Sequence, residues 1–211
     1  MSEDEMYNPE QFLEKDMHEI KRIVEEYPLA TCVVNNGSDF EINHIPMIWQ
    51  DEDLIGHIAL SNQMHKMCDD GCNAAFVFRA EDTYISPNWY PSKKDTHKQV
   101  PTWNYQVVHM HGQLYFHHDD KEKLAVVGLL TKHHEHKENG DKAWKMRDAP
   151  KDYMKMMLDN IVAMRFQIKK IEAKSKLSQN KEIVDYQAVI EIMRQKQLHG
   201  IASRMQKRNE P

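Results

Sequence analysis

Near the N-terminus, Leu13, Met17, Ile20 and Val24 fall three and four residues apart, the spacing that lines one face of an α-helix. Asn8-Pro9-Glu10-Gln11 precedes them. Asn8 can cap, Pro9 suits a first helical position, and Gln11 stands where a capping-box partner belongs. Tyr27-Pro28 ends that helix. The period then shortens: residues 28–34 read as a strand, Asn36-Gly37 as a turn, and 40–49 as a strand returning in a hairpin. Pro46 assigns that second strand to an edge or a bulge. Residues 54–60 and 73–79 are further short strands, and 105–117 is a long one in which Gly112 marks a bulge or a close backbone approach. A second helix opens at Asp119, carries Leu124, Val127 and Leu130, and gives way to a charged loop, KHHEHKENGDK. Asp148-Ala149-Pro150 starts a third, with Tyr153, Met157 and Ile161 facing inward. Met164, Phe166 and Ile168 alternate as a last strand, and residues 181–208 are helical with a break near Gly200.

Five or six strands joined as hairpins, with helices at the ends and between the last strands, predict an α+β fold built on a small antiparallel barrel. No internal repeat, G-x-G-x-x-G, P-loop or G-x-S-x-G is present, so a doubly wound dinucleotide-binding sheet is disfavoured. Residues 84–105 stand apart, with Pro87, Pro91 and Pro101 among Trp89, Trp103, Tyr84, Tyr90 and Tyr105. Prolines keep Ser86, Tyr90 and Val100 out of helix. The stretch is too aromatic for a linker and too proline-rich for a central strand. It reads as an ordered loop, with Lys93 and Lys94 near its tip, that either fills the core or builds a site.

The 211 residues suit one domain, or one domain with a helical appendage. The net charge of −5 is mildly acidic. No apolar run approaches the ~20 residues of a membrane span, and the acidic N-terminus lacks a signal-like segment. Cys32, Cys68 and Cys72 match neither a disulfide framework nor a zinc ribbon, which predicts reduced thiols and a cytoplasmic location. Thirteen histidines, among them His117-His118 and His133-His134 with His136, invite a metal reading. H-E-x-x-H is not completed after His134, however, and surface histidines are the simpler account.

The ordered pieces Asn43-His44-Ile45-Pro46, Gly56-His57-Ile58-Ala59 with Asn62, YISPxWYPSK (84–93), VPTWNY (100–105), Leu130-Thr131-x-x-His134-Glu135 and Lys176-Leu177-Ser178-Gln179-Asn180 run along nearly the whole chain. Together with Met6-Tyr7-x-Pro9-x-x-Phe12, Pro28-Leu29-Ala30-Thr31 and Asp148-Ala149-Pro150, they give a sequence that resembles the PaiB family of FMN-binding negative transcriptional regulators. The resemblance implies an antiparallel split β-barrel with flanking helices. It assigns residues 1–180 to the barrel domain and 181–211 to a C-terminal helical extension packed on the barrel or on a dimer partner. It also implies a homodimer with FMN at the subunit interface.

FMN needs cations and N–H or O–H donors for its phosphate, an apolar wall for its ring and polar groups for the ring edge. His57, Ser61 and Asn62 occupy the strand end where related oxidases bind phosphate, and His44 lies in a neighbouring motif. Lys93 and Lys176 are the cationic candidates. Trp103 or Trp89 would cover the ring, while Thr102, Asn104, Ser178 and Gln179 would meet its polar edge. The plainer readings make His44 and His57 core histidines, Trp103 a core aromatic, and Ser178 a helix cap. Leu60 stands where the family carries arginine, which implies a phosphate held with one guanidinium fewer; Ser175 replaces an expected aromatic. Three functional readings stand: a flavin-binding regulator and a weak flavin-dependent oxidoreductase, which the resemblance implies, and a haem protein on the same fold, which the histidines favour although no haem motif is present. The basic run Arg194, Lys196, Arg204, Lys207 and Arg208 is the candidate DNA contact.

Overall fold

The structure, a computed structural model, describes residues 6–35, 37, 39–68 and 71–208; Asn36 of the expected turn lies outside them. In chain order the elements are α1 (Met17–Glu26), β1 (Leu29–Asn35), β2 (Phe40–Pro46), β3 (Ile48–Gln50), β4 (Asp53–Ala59) and β5 (Cys72–Ile85). They continue with α2 (Lys93–Thr96), β6 (Thr102–His117), α3 (Asp120–Asn139), α4 (Lys151–Asp159), β7 (Ile161–Lys176), α5 (Ile183–Gln195) and α6 (His199–Arg208). The strands form one seven-stranded sheet in the order β2-β1-β5-β6-β7-β4-β3. The chain divides into two compact units, residues 1–23, 79–108 and 172–211, and residues 24–78 and 109–171.

In the second unit β1 pairs antiparallel with β2 and β5, and β4 with β3 and β7. Alternation along these strands turns one set of side chains inward: Ala30, Cys32 and Val34 of β1 are buried, as are Phe76 and Phe166. The Phe76 and Phe166 rings lie 4.7 Å apart. Val126 and Leu130 of α3 pack on Ile48, Ile55 and Ala163. Gly112 is a close-approach glycine, since a Cβ there would lie 2.0 Å from the Gln167 carbonyl oxygen. The strand expected over 40–49 divides at Met47, whose N–H leaves the ladder to donate to the Pro28 carbonyl at 2.9 Å.

The first unit is held by α5 and α6. Tyr186, Val189, Ile190, Met193, Ile201, Ala202 and Met205 form a buried cluster with Ile85, Tyr90 and Leu177. The Tyr186 hydroxyl donates to the Met205 carbonyl at 2.6 Å, closing the helix pair.

Several expectations are corrected. Pro9 starts only a 3₁₀ turn, Glu10–Phe12. The Glu14 N–H then donates to the Ala173 carbonyl at 3.0 Å, so the chain is drawn out along β7. The helix begins at Met17, where the Asp16 carboxylate accepts from His18 N–H, and Met17 itself is exposed. The charged loop after Leu130 is instead the second half of α3, because no glycine or proline interrupts it before Gly140. On α4, Tyr153 and Met157 face outward and Met154 and Leu158 are the partly buried pair, a face rotated by one residue. The C-terminal break falls at Gln197, which takes φ +62°, and Gly200 lies inside α6. Trp103 is 52 % exposed rather than core, and His44 and His57 are exposed as well. Cys68 and Cys72 form a disulfide, against the expectation of reduced thiols. Gly71, just before Cys72, takes φ +98°, and the two cysteine Cα atoms are 5.2 Å apart. Cys32 remains a free thiol, its pKa pushed up to about 12 by burial.

Candidate functional site

The first unit sets three lysines, Lys174, Lys176 and Lys181, against neutral partners. Lys174 and Lys176 are two apart on β7 and so share a face. Lys174 is 7 % exposed, donates to the Tyr7 carbonyl at 3.0 Å, and lies 5.2 Å from the Tyr7 ring and 5.8 Å from the Tyr105 ring. The partly buried Lys176 ammonium donates to the Thr102 hydroxyl and, at 2.6 Å, to the Trp103 carbonyl, with the Phe12 ring 5.9 Å away. Lys181 donates to Gln99 Oε1 at 2.7 Å and sits 4.7 Å above the Tyr90 ring. Among the described residues none of the three pairs with a carboxylate. Burial, and then the charges of Lys174 and Lys181, push the Lys176 pKa below its ordinary value. A desolvated cation met only by neutral oxygens and like charges is short of an anion.

An exposed aromatic pair stands on the same strand ends. Tyr84 and Trp103 are 44 % and 52 % exposed, with ring centroids 6.1 Å apart in an edge-to-face arrangement. Asn104 and Ser178, by contrast, are buried and satisfy each other, Ser178 Oγ donating to Asn104 Oδ1 at 2.9 Å. The side chain of Gln179 accepts from Leu177 N–H at 2.7 Å and donates to the Ser175 carbonyl. These three hold the turn from β7 to α5, in which Ser178 takes φ +62°. Ser178 therefore spends its hydroxyl on Asn104 rather than on a helix cap. The Tyr90 hydroxyl is buried near Ser178 without hydrogen-bond geometry, and burial raises its pKa. Lys93 donates to Asn88 Oδ1 on the far side of its own turn.

A second polar network explains the C-terminal basic run. Buried Gln106 donates to Glu19 at 2.8 Å and to Ser175 at 2.9 Å, and accepts from Arg22 at 3.0 Å. Ser175 Oγ donates at 2.8 Å to Glu14, which also accepts from Arg208. Arg204 lies 4.0 Å from Glu19, and Arg194 pairs with Glu191 at 2.7 Å. Burial raises the Glu19 pKa, but hydrogen bonds from Arg22 and Gln106 outweigh it and the net shift is downward. Three of the five cations offered as DNA contacts thus already face acids of the same chain, Arg204 and Arg208 half-buried and Arg194 at the surface.

In the second unit His44 lies within β2 and His57 within β4, while Ser61 and Asn62 follow the end of β4. Thr31 Oγ1 and His44 Nδ1 are 3.1 Å apart. Asn62 caps a 3₁₀ turn, Gln63–Lys66, by accepting from Met64 N–H at 2.9 Å, and donates to Asn43 at 2.8 Å. Ser61 is exposed. The His57 ring reaches solvent, yet partial desolvation still pushes its pKa down, favouring the neutral ring at pH 7. The group contains no lysine or arginine. Leu29, Phe40 and Ile42 of the β1–β2 edge are large, apolar and exposed. No cluster of three or more histidine, cysteine or acidic side chains able to hold a metal occurs among the described residues. The polar network around Gln106 and the cations Lys174 and Lys181 belong to no motif; the two-residue spacing of Lys174 and Lys176 points to a shared face only once β7 is known to run on to Lys176.

Residues 6–170 match the family described as "Putative FMN-binding domain". The chain is 30 % identical over 190 residues to the protease synthase and sporulation protein PAI 2 of Bacillus subtilis, covering 88 % of each chain. Its fold is similar to an FAD- and heme-binding protein from Mycobacterium smegmatis (TM-score 0.57, 14 % identity, 77 % of this chain and 72 % of that one). It is also similar to the flavocytochrome Anf3 from Azotobacter vinelandii (TM-score 0.56, 10 % identity, 78 % and 69 %). Family match, sequence identity and sheet topology agree: the chain belongs to the PaiB family of FMN-binding proteins, an antiparallel split β-barrel with flanking helices.

Proposed function

We propose that this protein binds FMN as a homodimer and holds the flavin phosphate with the lysine face of its first unit. FMN is the cofactor of the family. The observation that carries the placement is the partly buried Lys176 ammonium, flanked by Lys174 and Lys181 and paired with no acid among the described residues. Lys176 and the Thr102 hydroxyl would hold the phosphate, and Trp103 with Tyr84 offers an aromatic wall for the ring. Asn104, Ser178 and Gln179 act one step back by fixing the turn that carries Lys176. His44, His57, Ser61 and Asn62 offer donors without permanent charge, so discrimination between FMN and uncharged riboflavin falls to the lysines. When bound, FMN supplies reversible electron uptake; no nucleophile or acid–base pair among these residues announces a substrate.

The exposed Tyr84, Val100 and Trp103, and separately Leu29, Phe40 and Ile42, are the apolar surfaces that favour a symmetric dimer. A direct regulatory contact with DNA through the C-terminal run has less support, because Arg194, Arg204 and Arg208 already face acids. Titration with FMN and riboflavin by fluorescence quenching tests the proposal. FMN is expected to bind about ten- to a hundredfold tighter, the worth of one charge-assisted hydrogen bond. Equal affinities would remove the phosphate assignment, and a haem spectrum in place of a flavin spectrum would replace the cofactor. Light scattering that returned a monomer at every concentration would remove the dimer.

A further inference from the structure

The stretch 84–105 and α5 line a cavity in the first unit of about 630 Å³, within the range of small-molecule sites. Trp89, Pro91 and Ile192 give it an apolar wall, and Lys93 and Lys94 a cationic rim beside His97. Glu191, the one acid among the described residues that line it, pairs with Arg194 at 2.7 Å. Lys196 adds a third cation 5.6 Å over the Trp89 ring. The loop is fixed before any ligand arrives. Ser92 donates through its N–H and its hydroxyl to Asp185, at 3.0 and 2.6 Å, and Gln99 Nε2 bridges the same two side chains. Asp185 is 1 % exposed, so this clamp is an interior feature of α5. Such preorganisation lowers the ordering cost of binding.

From this combination we infer a binding site for a small aromatic anion, its ring against Trp89 and Ile192 and its charge toward Lys93 and Lys94. The inference rests on the reading that Lys176, and not Lys93, holds the flavin phosphate. Lysines act as point charges and do not impose the planar fork that arginine gives; carboxylate and phosphate share this chemistry, and comparing the two head groups on one ring separates them.

Fluorine NMR titration of the full-length protein with para-fluorobenzoate tests the site, with para-fluorobenzyl alcohol as the uncharged analogue and para-fluorophenyl phosphate as the alternative anion. Saturable binding tighter than about 1 mM is expected for at least one anion, with the alcohol at least tenfold weaker. The double variant Lys93→Ala, Lys94→Ala, whose fold is checked by its melting curve, should lose tenfold or more. Lys176→Met should keep the anion affinity. Equal binding of the alcohol, an unaffected double variant, or loss of the anion in Lys176→Met would each overturn the inference. So would the absence of saturable binding by either anion.

Discussion

Replacing Lys176 with methionine keeps the length of the side chain and removes its charge. The ammonium is short of an anion, so its loss should not harm the apo protein; an uncompensated, partly buried charge is often matched or bettered by an apolar group of similar volume. Binding should respond differently. Charge-assisted hydrogen bonds contribute roughly 1.5–3 kcal/mol, so FMN affinity should fall about ten- to a hundredfold while riboflavin affinity stays nearly constant. The pH dependence has a definite sign. The Lys176 pKa lies below its ordinary 10.5, so between the lowered value and 10.5 the unfolded chain holds more of this proton than the native one. This group therefore makes stability rise with pH across that window, and it makes its full unfavourable contribution below it. Lys176→Met should lack that rise and should melt at or above wild type at neutral pH. Quenching titrations with both flavins, paired with melts from neutral to alkaline pH, read all of this. An FMN-to-riboflavin ratio unchanged by the substitution would refute the reasoning, since the lysine would then not face the phosphate.

Four further outcomes are expected. Gly112→Ala should destabilise by about 1–3 kcal/mol in chemical denaturation, because its Cβ would meet the Gln167 carbonyl at 2.0 Å; Gly128→Ala, with only Met146 at 3.7 Å, should be neutral or stabilising. Trp103→Ala should fall well short of the roughly 3–5 kcal/mol of a buried tryptophan, since this ring is half exposed; a loss of that full size would return it to the core. Reducing the Cys68–Cys72 disulfide opens only a short loop, so melts with and without reductant should differ by about 2 kcal/mol or less. Arg208→Gln should lower stability by about 1–3 kcal/mol by leaving buried Glu14 without its cation, and any DNA binding at low salt should survive it; a fall in DNA affinity with stability unchanged would make Arg208 a phosphate contact.

Local pattern was enough to place most elements of this chain. Alternation announced β1, β4 and β7, Asp119 announced the start of α3, and the crowded prolines and aromatics of 84–105 marked an ordered loop. Two long motifs in that loop, with the shorter pieces around them, were enough for the family and hence for the barrel and its cofactor. Tertiary structure decided what pattern does not encode. Period alone does not say whether a large aromatic is covered, so Trp103, whose neighbours are set by distant strand pairing, was open between core and surface. A glycine's reason lies in its spatial neighbour, which for Gly112 is Gln167 on another strand. The character of a charged residue depends on its partners as well: Arg204 and Arg208 look free for phosphate in the sequence, but the fold sets them against Glu19 and Glu14. Lys174, Lys176 and Lys181 do not stand out as residues; packing gives them aromatic rings and neutral oxygens for company and, among the described residues, no carboxylate.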